Sequence, residues 1–336
     1  MSEYRFALGT ASSTSSSIPS ASERLAAGAP PPIDLLHSIA SATRVVAHPR
    51  PPLAVARDVI ALAKPRLALL VVCTAAGGLW LAPGRRDGLA ATVLIAGTTL
   101  VVGAANALNN FLERDVDARM RRTRDRPLPA GRLEPWVAVA VGLGLPAVAL
   151  PALAWFTNGL TATLAALALF VYVVVYTPMK QRSSLALFVG AVPGAIPPLM
   201  GWTAATGRLD PGGLALFALL FCWQLPHFLA ISMYLKEDYA RGGLRVFALV
   251  HGDRATRAWG AATSLALVPV SLTLLPLGLA GSAYAVVATL LGTGLSAYAL
   301  SGLWQGAGAN RWARNFFLLT LAYLTLLFAA LFVGAR

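Results

Sequence analysis

Apolar runs of about 20 residues, each enough to cross ~30 Å of hydrocarbon, recur along this 336-residue chain. They fall at 66–82, 89–111, 136–156, 159–177, 184–204, 212–234, 256–278, 281–303 and 314–334, and they predict nine transmembrane helices. Only PMKQRSS separates the fourth run from the fifth, so those two are expected to form a tight pair. Polar residues gather in two dense blocks, NNFLERDVDARMRRTRDRP at 109–127 and the loop around KEDYARGG at 236–243. The first 57 residues break the pattern. Stretches such as TASSTSSSIPSAS and GAPPPID are rich in Ser, Pro and Ala and hold no sustained period, which predicts a disordered or loosely structured extension ahead of a membrane domain at 58–336. Within it, 33–47 also fits an amphipathic helix on a membrane surface. No apolar core of a signal peptide is present there.

Composition agrees with an all-α, polytopic membrane protein. The chain is 57% hydrophobic and 12% charged, against roughly 25% charged in a soluble domain. Cys73 and Cys222 both sit in apolar runs, so no disulfide framework or Cys-rich metal site is available.

A net charge of +13 would suggest a nucleic-acid partner in a soluble protein. Here the charge follows the loops. With the N-terminus in the cytoplasm, sixteen basic residues fall in or beside the inside loops, and four (Arg85, Arg86, Arg208, Arg336) fall outside. That asymmetry is the positive-inside pattern; it places both polar blocks on the cytoplasmic side and leaves no excess for nucleic acid.

The first block carries chemistry. If the second helix continues through residue 117, then Asn109, Glu113 and Asp117 are spaced i, i+4, i+8 on one stripe, with Asn106 one turn deeper and Asp115 pointing elsewhere. Oxygen ligands in such a column suit a hard divalent cation, and Mg²⁺ commonly takes one or two carboxylates together with substrate phosphates. The arginines that follow suit phosphate oxygens. The same residues also fit a solvated charge band at a helix end, where ion pairs contribute little. Asn106 and Asn109 inside an apolar run favour function, because polar groups at membrane depth are costly.

In the apolar helix ahead of the second block, Gln224 and His227 interrupt the pattern, with Pro226 between them. A packed, hydrogen-bonded histidine is the plain reading of His227. The sequence holds no Ser/His/Asp or Cys/His arrangement for covalent catalysis. A transporter would place ionisable residues near the bilayer midplane, whereas these acids cluster at one face.

NNFLERDVDARMRRTRDRPLPAG resembles the first motif of the UbiA superfamily of intramembrane prenyltransferases, and more narrowly of its protoheme IX farnesyltransferase (heme O synthase) branch. ALAKPRL ending at residue 67, YTPMKQRSSLALFVGAVPGAIPPLMGW at 176–202, WQLPHF at 223–228 and KEDYARGG agree with that branch. The elements RT-x-x-RP (Arg122, Thr123, Arg126, Pro127) and WQ-x-PHF are its more specific marks. They argue against a relative that prenylates an aromatic or quinone precursor. Four positions depart from the family pattern. Glu113 stands for an aspartate, Tyr234 for the first aspartate of the second motif, and Ala186 for an asparagine, with Ser183 beside it where threonine is common.

The resemblance implies helices around a central cavity capped by two cytoplasmic loops, in a bacterial inner membrane. It implies farnesyl diphosphate and heme B as substrates, Mg²⁺ as cofactor, and a heme A synthase or terminal oxidase downstream. By it, Asn109, Glu113, Asp117 and Asp238 hold the metal, and Lys236 joins them in catalysis. Arg122, Arg126, Lys180, Arg182, Lys64 and Arg66 meet the diphosphate, Lys64 and Arg66 equally fitting a plain anchor of the first helix. Trp223, Gln224, His227 and Tyr239 face heme or prenyl chain, His227 as iron ligand or hydrogen-bond partner. Trp202, Trp223, Phe228, Tyr172 and Tyr176 are candidate aromatic faces for an allylic cation.

Overall fold

The structure, a computed structural model, describes residues 51–84, 87–306 and 310–334. The extension through residue 50, with its 33–47 stretch, lies outside the described residues, as do Arg85, Arg86 and Arg336. Helices α1 (Pro52–Leu62), α2 (Pro65–Leu81) and α3 (Gly88–Leu112) come first, followed by the short turn α4 (Arg114–Asp117). Then come α5 (Pro135–Phe156), α6 (Gly159–Arg182), α7 (Ala186–Thr206) and α8 (Pro211–Tyr234). A short α9 (Lys236–Gly242) leads to α10 (Phe247–Leu272), α11 (Ser282–Ser301) and α12 (Asn310–Gly334). There is no strand among the described residues.

Helix ends follow local chemistry. Proline stands in the first turn of α1, α2, α5 and α8, where its missing N–H costs nothing. Asp87, Asn158 and Asp210 accept backbone N–H groups at the starts of α3, α6 and α8.

Among the described residues, seven helices (α3, α5, α6, α7, α8, α11 and α12) are long and apolar enough to cross a membrane, or eight when the α1–α2 pair, bent by 45°, is taken as one span. The expected span at 256–278 differs most. Its helix starts earlier, at Phe247, carries His251, Asp253, Arg254 and Arg257, and is broken at Gly252 (φ 78°). Helix α10 is not among the helices that qualify by length and composition, and the chain turns beyond Leu272. Helix α1 is not anticipated by the apolar pattern; it begins six residues before the expected domain start at 58.

Two apolar cores share the central helix α7, 78% of whose span is buried. One joins α3, α5, α6 and α7; the other joins α8, α10, α11 and α12, with Ala195 and Trp202 of α7 at its edge. Burial on all sides explains the small residues and three prolines of α7. A Cβ on Gly201 would strike the backbone of Ala75 and Leu79 in α2, so this crossing requires glycine. Large apolar side chains such as Trp155 and Val333 face outward, as lipid demands.

Candidate active site

The site forms where the ends of α3, α6 and α8 meet the α1–α2 break. A proline disfavours helical backbone in the residue before it, and Lys64, preceding Pro65, takes a left-handed conformation (φ 49°). The break frees the last carbonyls of α1, and two asparagines of α3 satisfy them. Asn106 Nδ2 donates to Ala63 O (3.2 Å) and Asn110 Nδ2 to Leu62 O (3.1 Å). Asn106 therefore has a structural task, tying the break to α3.

The acidic column survives, though its helix does not run straight through. Helix α3 ends at Leu112, and Glu113 leaves helical geometry (φ −99°, ψ 6°). The i→i−4 hydrogen bonds Glu113 N–Asn109 O (2.9 Å) and Asp117 N–Glu113 O (2.7 Å) nevertheless persist. Asn109, Glu113 and Asp117 consequently line one cavity of about 300 Å³. Cations from four segments converge on it: Lys64, Arg122 and Arg126, Lys180, and Arg245.

The pairing is specific. Lys180 Nζ lies 2.5 Å from Glu113 Oε1 and 4.8 Å from the centre of the Tyr176 ring. Arg126 Nη1 donates to Asp117 Oδ2 at 2.5 Å, and Thr123 Oγ1 donates to Asp117 O at 2.9 Å. Asp117 is buried, and its other oxygen, Oδ1, has no donor. Burial pushes the Asp117 carboxyl above its usual range, and the Arg126 guanidinium pulls it back. Asn109 spends Nδ2 on Thr177 Oγ1 (3.2 Å), which leaves Oδ1 as the atom that could meet a ligand. The threonine is itself anchored, donating to Tyr172 O (2.8 Å) across the π-helical segment Val171–Tyr176. That widened turn accompanies the placing of both Tyr172 and Tyr176 on the cavity wall.

The second polar block stands one cavity away. Asp238 and Lys236 line a neighbouring hollow of about 570 Å³, which shares Arg122 with the first. Asp238 Oδ1 accepts the Arg121 backbone N–H (2.7 Å) and lies 3.9 Å from Arg241. Lys236 Nζ is bonded to Asp253 (2.7 Å). The structure thus gathers Asn109, Glu113 and Asp117 but sets Asp238 apart from them. Among the described residues, no three His, Cys, Asp or Glu side chains cluster as a metal site.

Other expected residues divide similarly. His227, Phe228 and Tyr239 line the inner cavity, whereas Arg66, Arg182, Trp223 and Gln224 do not. Gln224 is buried, donating to Ala191 O and Leu220 O (both 3.1 Å), and Trp223 Nε1 donates to Thr320 O (2.7 Å). Trp202 packs in the core over Gly212 and Gly213. At the family's asparagine position Ala186 lines the cavity without a polar group. Burial pushes the Tyr239 phenol upward, so it stays protonated. Sequence reasoning missed Thr177, Asn110, Arg245 and Asp253. Asn110 had a signal, sitting beside Asn109 in an apolar run.

Comparison with known proteins identifies the family and the fold. Residues 70–321 match the UbiA prenyltransferase family. The chain is 66% identical over 281 residues to the protoheme IX farnesyltransferase of Anaeromyxobacter sp. (strain Fw109-5), covering 84% of this chain and 94% of that protein. It is 51% identical over 277 residues to that of Myxococcus xanthus (strain DK1622), covering 82% and 94%. Among solved structures, a digeranylgeranylglyceryl phosphate synthase superposes with a TM-score of 0.70 at 15% identity, covering 83% of this chain and 97% of that one. A UbiA homologue from Archaeoglobus fulgidus bound to DMAPP and Mg²⁺ superposes with a TM-score of 0.59 at 16% identity, covering 82% and 99%. These structures share the fold. The chain, a multi-pass helical membrane protein, belongs to the UbiA prenyltransferase family.

Proposed function

We propose that this chain transfers the farnesyl group of farnesyl diphosphate to a vinyl group of heme B, with addition of water, giving heme O and diphosphate. The observation that carries the chemistry is the inner cavity, where a carboxylate column and convergent cations meet an apolar, aromatic wall. The acceptor rests on the 66%-identical relative, of which this chain covers 94%.

Lys180, Arg126, Lys64 and Arg122 take the diphosphate charge, which grows as the allylic C–O bond breaks. The donor set fits Mg²⁺: Asp117 through its unpartnered Oδ1, Glu113, and Asn109 through Oδ1 would hold the ion. Two carboxylates suffice where substrate phosphates complete the coordination. When bound, Mg²⁺ neutralises the leaving diphosphate. Asp238 orders the loop bearing Arg122 by accepting the Arg121 N–H. Tyr172, Tyr176 and Phe228 present ring faces where the farnesyl cation forms. Both substrates have charged ends and apolar bodies, so a cavity at a helix-end boundary suits both.

The loop charges support placing this end of the bundle in the cytoplasm, in a bacterial inner membrane. The product then serves a heme A synthase or terminal oxidase in the same membrane.

An acceptor competition tests the assignment. Purified protein in detergent receives Mg²⁺, farnesyl diphosphate, heme B and 4-hydroxybenzoate in equal amounts, and the products are weighed by mass spectrometry. Heme heavier by farnesyl plus water is expected. Prenylated hydroxybenzoate with unmodified heme would overturn the acceptor while keeping the family.

A further inference from the structure

The proposed reaction releases one proton, and His227 on the inner cavity is suited to receive it. The farnesyl C1–O bond breaks and its electron pair leaves with diphosphate. The vinyl π pair forms the new C–C bond to C1, which leaves a cation on the carbon beside the pyrrole. Water attacks that cation, and the resulting oxonium must lose a proton to become the hydroxyl.

Most basic groups on the cavity are committed. Glu113 is paired with Lys180; Asp117 is paired with Arg126 through Oδ2 and keeps Oδ1 for the metal; Lys64 stands on the diphosphate side. Tyr172, Tyr176 and Tyr239 offer phenols, and Ser184 is bonded to His251 (2.9 Å). His227 differs. Its Nδ1 lies 2.9 Å from Thr320 Oγ1, and Thr320 Oγ1 itself donates to Phe317 O at 2.6 Å. A hydroxyl has one hydrogen, and the 2.6 Å oxygen–oxygen contact needs it. Thr320 therefore accepts from His227, so the hydrogen sits on Nδ1 and the neutral ring carries its lone pair on Nε2. Among the described residues Nε2 has no hydrogen-bond partner, and His227 lines the cavity.

The ring is also held rigidly. Trp223 stacks on it (4.8 Å between ring centres, 23° between planes) and Phe317 packs against it at 4.8 Å. Trp223 is fixed in turn through Nε1 to Thr320 O (2.7 Å). His227 lies seven residues, ~10 Å along the helix, before the end of α8 at Tyr234. This puts it on the apolar side of the carboxylate column, where the amphipathic substrates carry their reacting carbons.

We propose, resting on the functional reading above, that His227 Nε2 is the base that takes the proton from the water capturing the prenylated heme cation, with Thr320 fixing its tautomer. Without this base the cation escapes by losing a proton from the adjacent carbon, giving an alkene one water lighter.

The test compares wild type, His227→Gln and Thr320→Val in the heme B assay, with hydroxylated and anhydro farnesyl hemes quantified separately by mass spectrometry. Wild type is expected to give almost only the hydroxylated product. His227→Gln should raise the anhydro-to-hydroxylated ratio at least tenfold, and Thr320→Val should raise it to an intermediate value. An unchanged ratio in both variants, whatever happens to the total rate, would overturn the assignment, because a packing role lowers both products together. Thermal unfolding checks each variant, and if His227→Gln does not fold the Thr320→Val ratio decides. A wild type that makes no prenylated heme would sink the functional reading itself.

Discussion

Neutralising the Glu113–Lys180 pair should separate stability from catalysis. The two charges lie 2.5 Å apart, with side chains 6% and 18% exposed. At an effective dielectric constant of ~20 their attraction is ~7 kcal/mol, offset by several kcal/mol for desolvating each ion. The net contribution of the pair to stability is therefore small. Removing one partner is different, because it strands the other charge at a cost of ~3–5 kcal/mol. Lys180→Met and Glu113→Gln should each lower the unfolding temperature clearly, whereas the double variant should return to within ~1–2 kcal/mol of wild type. Turnover should not return. With a cation and a carboxylate gone from the diphosphate side, the double variant should stay ~10²–10³-fold below wild type, the usual loss of an electrostatic stabiliser. Thermal unfolding in detergent and heme product formation read the two quantities on the same samples. Stability losses that simply add, or a double variant with near-normal turnover, would refute the reasoning.

Further outcomes follow from packing and titration. Gly201→Val should destabilise by at least ~1–3 kcal/mol, because its Cβ meets α2 backbone that cannot move aside; thermal unfolding measures it. Tyr239 has its phenol pushed above the usual value by burial, so its share of stability is complete below the unfolded value near 10 and is lost as pH rises through the higher folded value. Tyr239→Phe should therefore show a shallower alkaline fall in unfolding temperature than wild type.

The parts legible from sequence were those with a local period. The apolar runs located the bundle, and the i, i+4, i+8 column located the cavity because the hydrogen bonds from 113 to 109 and from 117 to 113 both form. Nothing local announced α1, which is too short to read as a span. The separation of Asp238 from the column depends on the Arg121 backbone contact across 117 residues of chain. Likewise, only packing shows that Asn106 serves the α1–α2 break and that Gln224 bonds neighbouring carbonyls. Residue type announced polar atoms at membrane depth; the fold decided which were consumed by structure.

The most direct test of the account is the heme product of Asp117→Ala beside wild type. Asp117 carries a buried carboxylate oxygen in the inner cavity, Oδ1, that has no donor among the described residues. Wild type should yield heme heavier by a farnesyl group plus water, and Asp117→Ala, shown to be folded, should yield none above about one part in 10². The same product at a comparable rate from the variant would contradict the assignment of this cavity as the site of transfer.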